Sequence, residues 1–394
     1  MRVSYEDLQK MCEALGVDRL NSWSRVNCIH NSLYEYLLKY ILHKKEDRAD
    51  SIYVVTGGLS HEILEKFYGK EISYADMVNE FEDGWTMAFD MADLKFVRSD
   101  SERNNSIANK YYYDLKNFFS THEPITSQMN IEEFIKIKVG DEYYQGYMDA
   151  HLVDDNGVHT ILDWKTSSIY KGDKAKNECG QLVLYSLGLH QQGIPYEKIR
   201  IAWNFLKYQC VTVQSKNGVK KVREIERFEL GNKLQANAKM WLKEFGYEDQ
   251  LLEYLDKLAQ TNDITCLPPE VQEKYELHDC YVYVDLTPEL IQYWEDFIIS
   301  TMKIIRKKES EYEELKAAGK YEEADKIWWE DEDSIKKQSY YLSNLCAYSP
   351  NLHKPYKAYL EKLEAEKNGS ILGPKKKSDE DEYEVDNLDW LNDL

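Results

Sequence analysis

Two acids and a lysine stand where they could act together on a phosphodiester. Asp149 lies in Gly146-Tyr147-Met148-Asp149-Ala150, and Asp163 and Lys165 lie in Ile161-Leu162-Asp163-Trp164-Lys165-Thr166. Thirteen residues separate the two acids, with an Asn156-Gly157 turn among them. Pairing of two adjacent strands then brings both carboxylates to one sheet edge. In a strand, residues two apart point to the same side, so Asp163 and Lys165 line one cleft. Two acids can hold a hard divalent cation, Mg²⁺ or Mn²⁺, through oxygen and still leave positions for water and a phosphate. The ammonium can orient or help deprotonate the attacking water and offset charge in the transition state.

An Asp-x-Lys triplet alone carries little weight. Asp93-Leu94-Lys95 and Asp114-Leu115-Lys116 share the spacing, and both read as polar, helix-like segments where a solvated face explains them. Asp163 differs because it ends an apolar strand. The bland alternative for Lys165 is a surface salt bridge to a carboxylate of the neighbouring strands.

The elements that position these residues read as an antiparallel meander. It comprises residues 134–139, a turn at Gly140-Asp141, residues 143–152, the Asp155-Asn156-Gly157 turn, and residues 158–164. An apolar helix at 181–191, a strand at 199–206 and a hairpin of 210–214 with 222–228 complete an α/β core. Upstream, two helices are expected within 5–45, the second over 24–42. Thr56-Gly57-Gly58-Leu59-Ser60 is expected to open a helix at His61, with Ser60 as N-cap and an end near Gly69. Downstream come a helix near 232–245, a strand at 281–285, and Thr287-Pro288 capping a long charged helix or helical pair that runs to about Lys337. The chain divides into an N-terminal helical segment, 1–50, and a core, 51–230, with a helical insertion at about 70–125. A mostly helical region, 231–367, and an acidic tail, 368–394, follow.

With 394 residues, 43% hydrophobic and 13% aromatic, the chain can bury a real core, as one large unit or as two. The first residues lack the pattern of a signal peptide, and no apolar run reaches bilayer-spanning length. A soluble cytoplasmic protein is expected, in the host cytoplasm if viral. Seven cysteines, never two or three residues apart, indicate neither a disulfide framework nor a zinc ribbon. The formal charge of −21 opposes indiscriminate binding to polyanions. Residues 165–223, however, hold eleven Lys or Arg against three acids, so the middle of the chain can still meet phosphate.

These motifs resemble the RecB-like branch of the PD-(D/E)XK superfamily, which includes lambda exonuclease, the AddAB nuclease domains and the CRISPR-adaptation nucleases. The resemblance spans about His61 to Leu206. It implies a PD-(D/E)XK, restriction-endonuclease-like core of α/β (α+β) class, a mixed sheet flanked by helices, with helical N- and C-terminal additions. His61, following Gly57-Gly58, takes the place of a metal-ligating histidine. Asp149 takes the first motif acid, and Asp163 and Lys165 the second acid and lysine, in Asp-Trp-Lys-Thr. Gln181-Leu182-Val183-Leu184-Tyr185 satisfies the branch's Gln-x-x-x-Tyr motif. It implies that Gln181 and Tyr185, on one helix face, contact DNA or support the site. Glu133 is a candidate further acid, as in some relatives. Alone, His61 would read as a cap or core histidine and Glu133 as an exposed strand residue.

Ser22-Trp23-Ser24-Arg25 also resembles an opening that, in several relatives, precedes an iron–sulfur cysteine. Here Asn31 occupies that place and Cys346 is the one thiol near the C-terminal end, so no cluster is expected. The expectation is therefore a Mg²⁺- or Mn²⁺-dependent DNA exonuclease of recombination, repair or replication, in keeping with a bacterial or phage source. The rivals are a non-catalytic DNA-binding scaffold of the same fold, and a defence or restriction endonuclease or RNA-cutting enzyme. The terminal 386–394 segment, alternating acids with Leu and Trp, could dock on a helicase or a single-strand-binding or annealing protein.

Overall fold

The computed structural model describes residues 3–48, 51–97 and 100–369. Its centre is the expected meander of β1 (Gln128–Val139), β2 (Glu142–Val153) and β3 (His159–Lys165), each antiparallel to the next. Turn chemistry sets the registers. Gly140 and Gly157 take positive φ of 58° and 68°, and Asp154 Oδ1 accepts the N–H groups of Asn156 and Val158 at 2.8 and 2.9 Å.

β4 (Ile199–Gln214) runs parallel to β3 through its first half and antiparallel to β5 (Lys220–Glu226) through its second. β6 (Tyr275–Val284) covers its other side, giving a mixed sheet of six strands among the described residues. The sequence reading ended this strand at Leu206 and began another at Cys210. One strand runs through because β6 pairs with both halves, across an irregularity between Asn204 and Gln209.

The N-terminal helices are α1 (Tyr5–Leu15), α2 (Trp23–Asn31) and α3 (Leu33–Tyr36). The single helix expected over 24–42 is broken at Ser32, which is extended (φ −161°, ψ 125°) and buried. Its hydroxyl accepts the Glu35 N–H, donates to Glu330 and meets His353 Nε2 at 2.9 Å. The side chain thus competes with the helix for the local backbone and ties it to the C-terminal region.

α4 (Ile52–Tyr68) begins well before His61 and runs through both glycines. Ser60 is not its cap: the hydroxyl donates to the Thr56 carbonyl at 2.8 Å. Burial of Ile52, Tyr53, Thr56, Ser60, Ile63 and Leu64 along one side outweighs the poor helix propensity of Gly57-Gly58. α5 (Asp76–Trp85) and α6 (Ser101–Thr121) follow, and α6 packs directly on β4. That packing corrects the reading of Asp114 as solvated. It is fully buried and accepts the Phe228 N–H at 2.7 Å, and burial holds its carboxyl well above the usual range.

α7 (Asp173–Glu178) and α8 (Gly180–Gln191) form the crossover from β3 to β4, with α8 against β1. α9 (Leu230–Glu244), α10 (Leu251–Thr261) and α11 (Pro269–Gln272) close a second apolar cluster with the far end of β4, β5 and β6. Thr287 caps α12 (Pro288–Ala317), accepting the Leu290 N–H, as expected. The charged stretch to Lys337 is divided at Gly319 (φ 75°), giving α13 (Tyr321–Lys326) and α14 (Glu332–Lys337). α15 (Lys354–Gly369) is the last helix described. The 386–394 segment lies outside the described residues. No helix among the described residues is long and apolar enough to cross a membrane.

Candidate active site

β2 and β3 pair as far as Ala150 opposite Leu162, and the ladder stops there. The next residue on each strand is an acid, Asp149 and Asp163, so both carboxylates stand where the strands part. The opened backbone is put to use, since Trp164 N–H donates to Asp149 Oδ2 at 3.1 Å. On its other side β3 stays paired with β4, Asp163 opposite Trp203 and Lys165 opposite Phe205. That pairing fixes the acid and the lysine on a rigid strand. Lys165 Nζ lies 3.3 Å from Asp163 Oδ2.

His61 reaches this point from α4. Its Nε2 is 2.7 Å from the Trp164 carbonyl and its Nδ1 is 3.5 Å from Asp149 Oδ2. A carbonyl only accepts, so Nε2 carries the hydrogen, and in the neutral ring the Nδ1 lone pair faces the Asp149 carboxylate. Two acceptors turned to one another call for a proton or a cation between them. A histidine that donates one nitrogen to a backbone carbonyl and offers the other is also the usual arrangement for a metal ligand.

Burial pushes Asp149 up to about 7, and Asp163 adds to the rise, against the opposing pull of His61, Lys165 and the Trp164 N–H. Asp163 is 5% exposed, and its buried Oδ2 makes no hydrogen bond, the Lys165 ammonium being near but poorly aligned. The donor set is one imidazole and two carboxylates, hard enough for Mg²⁺ or Mn²⁺. Among the described residues, no three His, Cys, Asp or Glu side chains are drawn into a finished metal cage. The fit rests instead on the facing His61 and Asp149 acceptors and on the unsatisfied Asp163 oxygen.

Gln181 Nε2 donates to the Tyr185 hydroxyl at 3.0 Å on α8. Tyr185 packs over Gly146, where a Cβ would come within 2.2 Å of its ring, so the glycine of Gly-x-x-Asp makes room for this tyrosine. His61, Asp149, Asp163, Lys165, Gln181 and Tyr185 all line one cavity of about 310 Å³.

Glu133 does not line this cavity. It binds His151 Nδ1 at 2.6 Å, and His151 in turn meets His159 at 2.9 Å. Glu132 lines it instead, together with Ser22, Ser24 and Gln145, none of which the sequence reading picked out as a site residue. Glu132 falls between the pairs Ile131–Ala150 and Glu133–Met148, opposite Asp149, and has φ 49°. A left-handed non-glycine residue inside a strand costs about 1–2 kcal/mol. Two adjacent acids offered no sequence signal for which would face the site, because the reversed φ upsets the alternation.

The PD-(D/E)XK nuclease superfamily profile matches residues 21–273, well over half the chain and every cavity residue named above. The chain belongs to this nuclease superfamily. No curated protein matches it.

Proposed function

We propose that the chain is a Mg²⁺- or Mn²⁺-dependent DNA nuclease, working as an exonuclease in recombination, repair or replication. The observation that carries the reading is the convergence of His61 Nδ1, 3.5 Å from Asp149 Oδ2, with the unsatisfied Asp163 oxygen. His61, Asp149 and Asp163 would hold the cation, which when bound supplies Lewis acidity and an acidified water.

The chain's own groups account for the rest. Lys165, fixed on β3 beside Asp163, presents its ammonium to the phosphate and to the attacking water. Gln181 and Tyr185 wall the cavity with amide and phenol groups suited to non-bridging phosphate oxygens. Glu132 adds a carboxylate able to orient water. The exonuclease assignment is supported by the Gln-x-x-x-Tyr helix, and the acidic 368–394 tail is the proposed docking segment for a helicase or annealing partner.

End-labelled linear DNA and closed circular DNA, single- and double-stranded, are incubated with Mg²⁺, Mn²⁺ or EDTA. Shortening of linear DNA while circles survive, abolished by EDTA, is the expected result. Cut circles would make the enzyme an endonuclease. DNA bound but never cut would favour a scaffold.

A further inference from the structure

Beside the catalytic cavity lies another of about 240 Å³, which shares His61 and Lys165 with it. One wall is the side of α4 that carries Val54, the adjacent Gly57 and Gly58, and His61, each about one helical turn on from the last. The facing wall is the run of residues 164–167.

Glycine is the poorest helix former after proline, yet two of them sit side by side within this helix. Nothing inside the protein requires them. A Cβ on Gly58 would meet no atom within 4 Å, and one on Gly57 only the Thr166 hydroxyl at an ordinary 3.8 Å. Neither glycine has a positive φ. The helix therefore gives up stability to leave its backbone bare towards a space that the protein does not fill, as glycine does where a backbone must let a ligand come close.

Two polar groups on the facing wall are also left over. Ser167 is 7% and Trp164 1% exposed, and Ser167 Oγ and Trp164 Nε1 have no hydrogen-bond partner among the described residues. Buried donors of this kind cost free energy until a ligand or a water satisfies them.

The path continues outward. Tyr111 and Ser167 of this cavity adjoin Lys110 and Ser168 in sequence, and these line a wider groove of about 900 Å³ that also holds Arg223 and Lys233. Two of the acids there are already neutralised, Glu224 by Lys171 at 3.1 Å and Glu226 by Lys110 at 2.6 Å. Arg223 and Lys233 have no ion pair among the described residues, so they can meet an outside anion.

We propose that the bare α4 face and residues 164–167 form a nucleotide subsite flanking the scissile phosphate. The sugar-phosphate of the substrate strand lies on Gly57 and Gly58, its polar groups take the Ser167 and Trp164 donors, and the strand leaves over Arg223 and Lys233. This rests on the nuclease reading above.

The test compares wild type with Gly58→Leu and with a Gly57→Ala/Gly58→Ala double variant. A short fluorescein-labelled oligonucleotide is the probe. KM and kcat are read with Mn²⁺, anisotropy binding in EDTA, and Tm throughout. Filling the cavity is expected to raise KM and the dissociation constant about tenfold or more for the leucine variant. The double alanine variant should move the same way by less, with kcat nearly kept and Tm at or above wild type. A leucine variant that binds and cuts as wild type does overturns the subsite and leaves the nuclease reading standing. Should the leucine variant not fold, unchanged binding and KM in the double alanine variant overturn it equally. Wild-type protein that cuts no nucleic acid with either metal overturns both.

Discussion

Replacing Gly146 by alanine tests how the site is built. The new Cβ would lie 2.2 Å from Tyr185 Cε1, 2.8 Å from Cζ and 2.9 Å from the phenol oxygen. Carbon atoms in contact need about 3.5 Å, so the ring must retreat by roughly 1 Å or more. It has little freedom to do so, being 6% exposed on α8 and bonded to Gln181 at 3.0 Å. Overpacking of this kind costs about 1–3 kcal/mol. In a chain of this size that is a Tm loss of roughly 1–4 °C. Cleavage should fall as well, because Tyr185 and Gln181 wall the cavity beside Asp149. The strain belongs to one pair of residues, so a double-mutant cycle isolates it. With Tyr185→Leu in place the offending ring atoms are gone, and Gly146→Ala should cost less than about 0.5 kcal/mol. Thermal and urea unfolding of the four proteins measures this. An equal loss in both backgrounds, or no loss in either, would refute the packing argument.

Asp163→Asn removes the unsatisfied carboxylate oxygen, and should lower cleavage by at least about a hundredfold while abolishing any rise in Tm on adding Mn²⁺. Rates and melts with and without metal check it. Arg227→Met removes the guanidinium from Asp279, its partner at 2.8 Å with both side chains 1% exposed, leaves the carboxylate only His122 and the Glu123 N–H among the described residues, and should cost about 3–5 kcal/mol in urea unfolding. A loss below about 1 kcal/mol would mean that the pair contributes little. Burial lowers His353 to about 4, whereas the unfolded residue titrates near 6.5. The unfolded chain then binds more protons between these values, so the contribution to stability is full above about 6.5 and is lost as pH falls towards 4, by about 3 kcal/mol. Glu330, raised by burial beside it, works in the opposite direction, so His353→Gln is the comparison to make. Wild type should lose Tm relative to this variant on acidification, and parallel curves would refute the assignment.

The meander was readable because its turns are written in residues of narrow use. Gly140 and Gly157 supply the positive φ that fixes each register, and a fixed register is what aligns Asp149 with Asp163. Gln181 and Tyr185 were readable because helical spacing alone puts them on one face. What escaped depends on partners distant in sequence. Ser32 breaks a periodic helix because Glu330 and His353 wait for its hydroxyl. Asp114 carries the same local signal as an exposed Asp-x-Lys, and only the docking of α6 on β4 buries it. Gly57-Gly58 reads as a helix start by propensity, yet the buried side of α4 carries the helix through. Glu132 could not be told from Glu133 without the reversed φ that turns it towards Asp149.

The most direct measurement is the cleavage rate of wild type and Lys165→Ala on one end-labelled duplex with Mn²⁺, with EDTA as control and Tm with and without Mn²⁺ recorded for both. Expected is metal-dependent cutting by wild type, abolished by EDTA and reduced at least about a hundredfold in a variant that still folds and still gains Tm from Mn²⁺. Equal rates in the two proteins would contradict the assignment of Asp149, Asp163 and Lys165 as the catalytic centre.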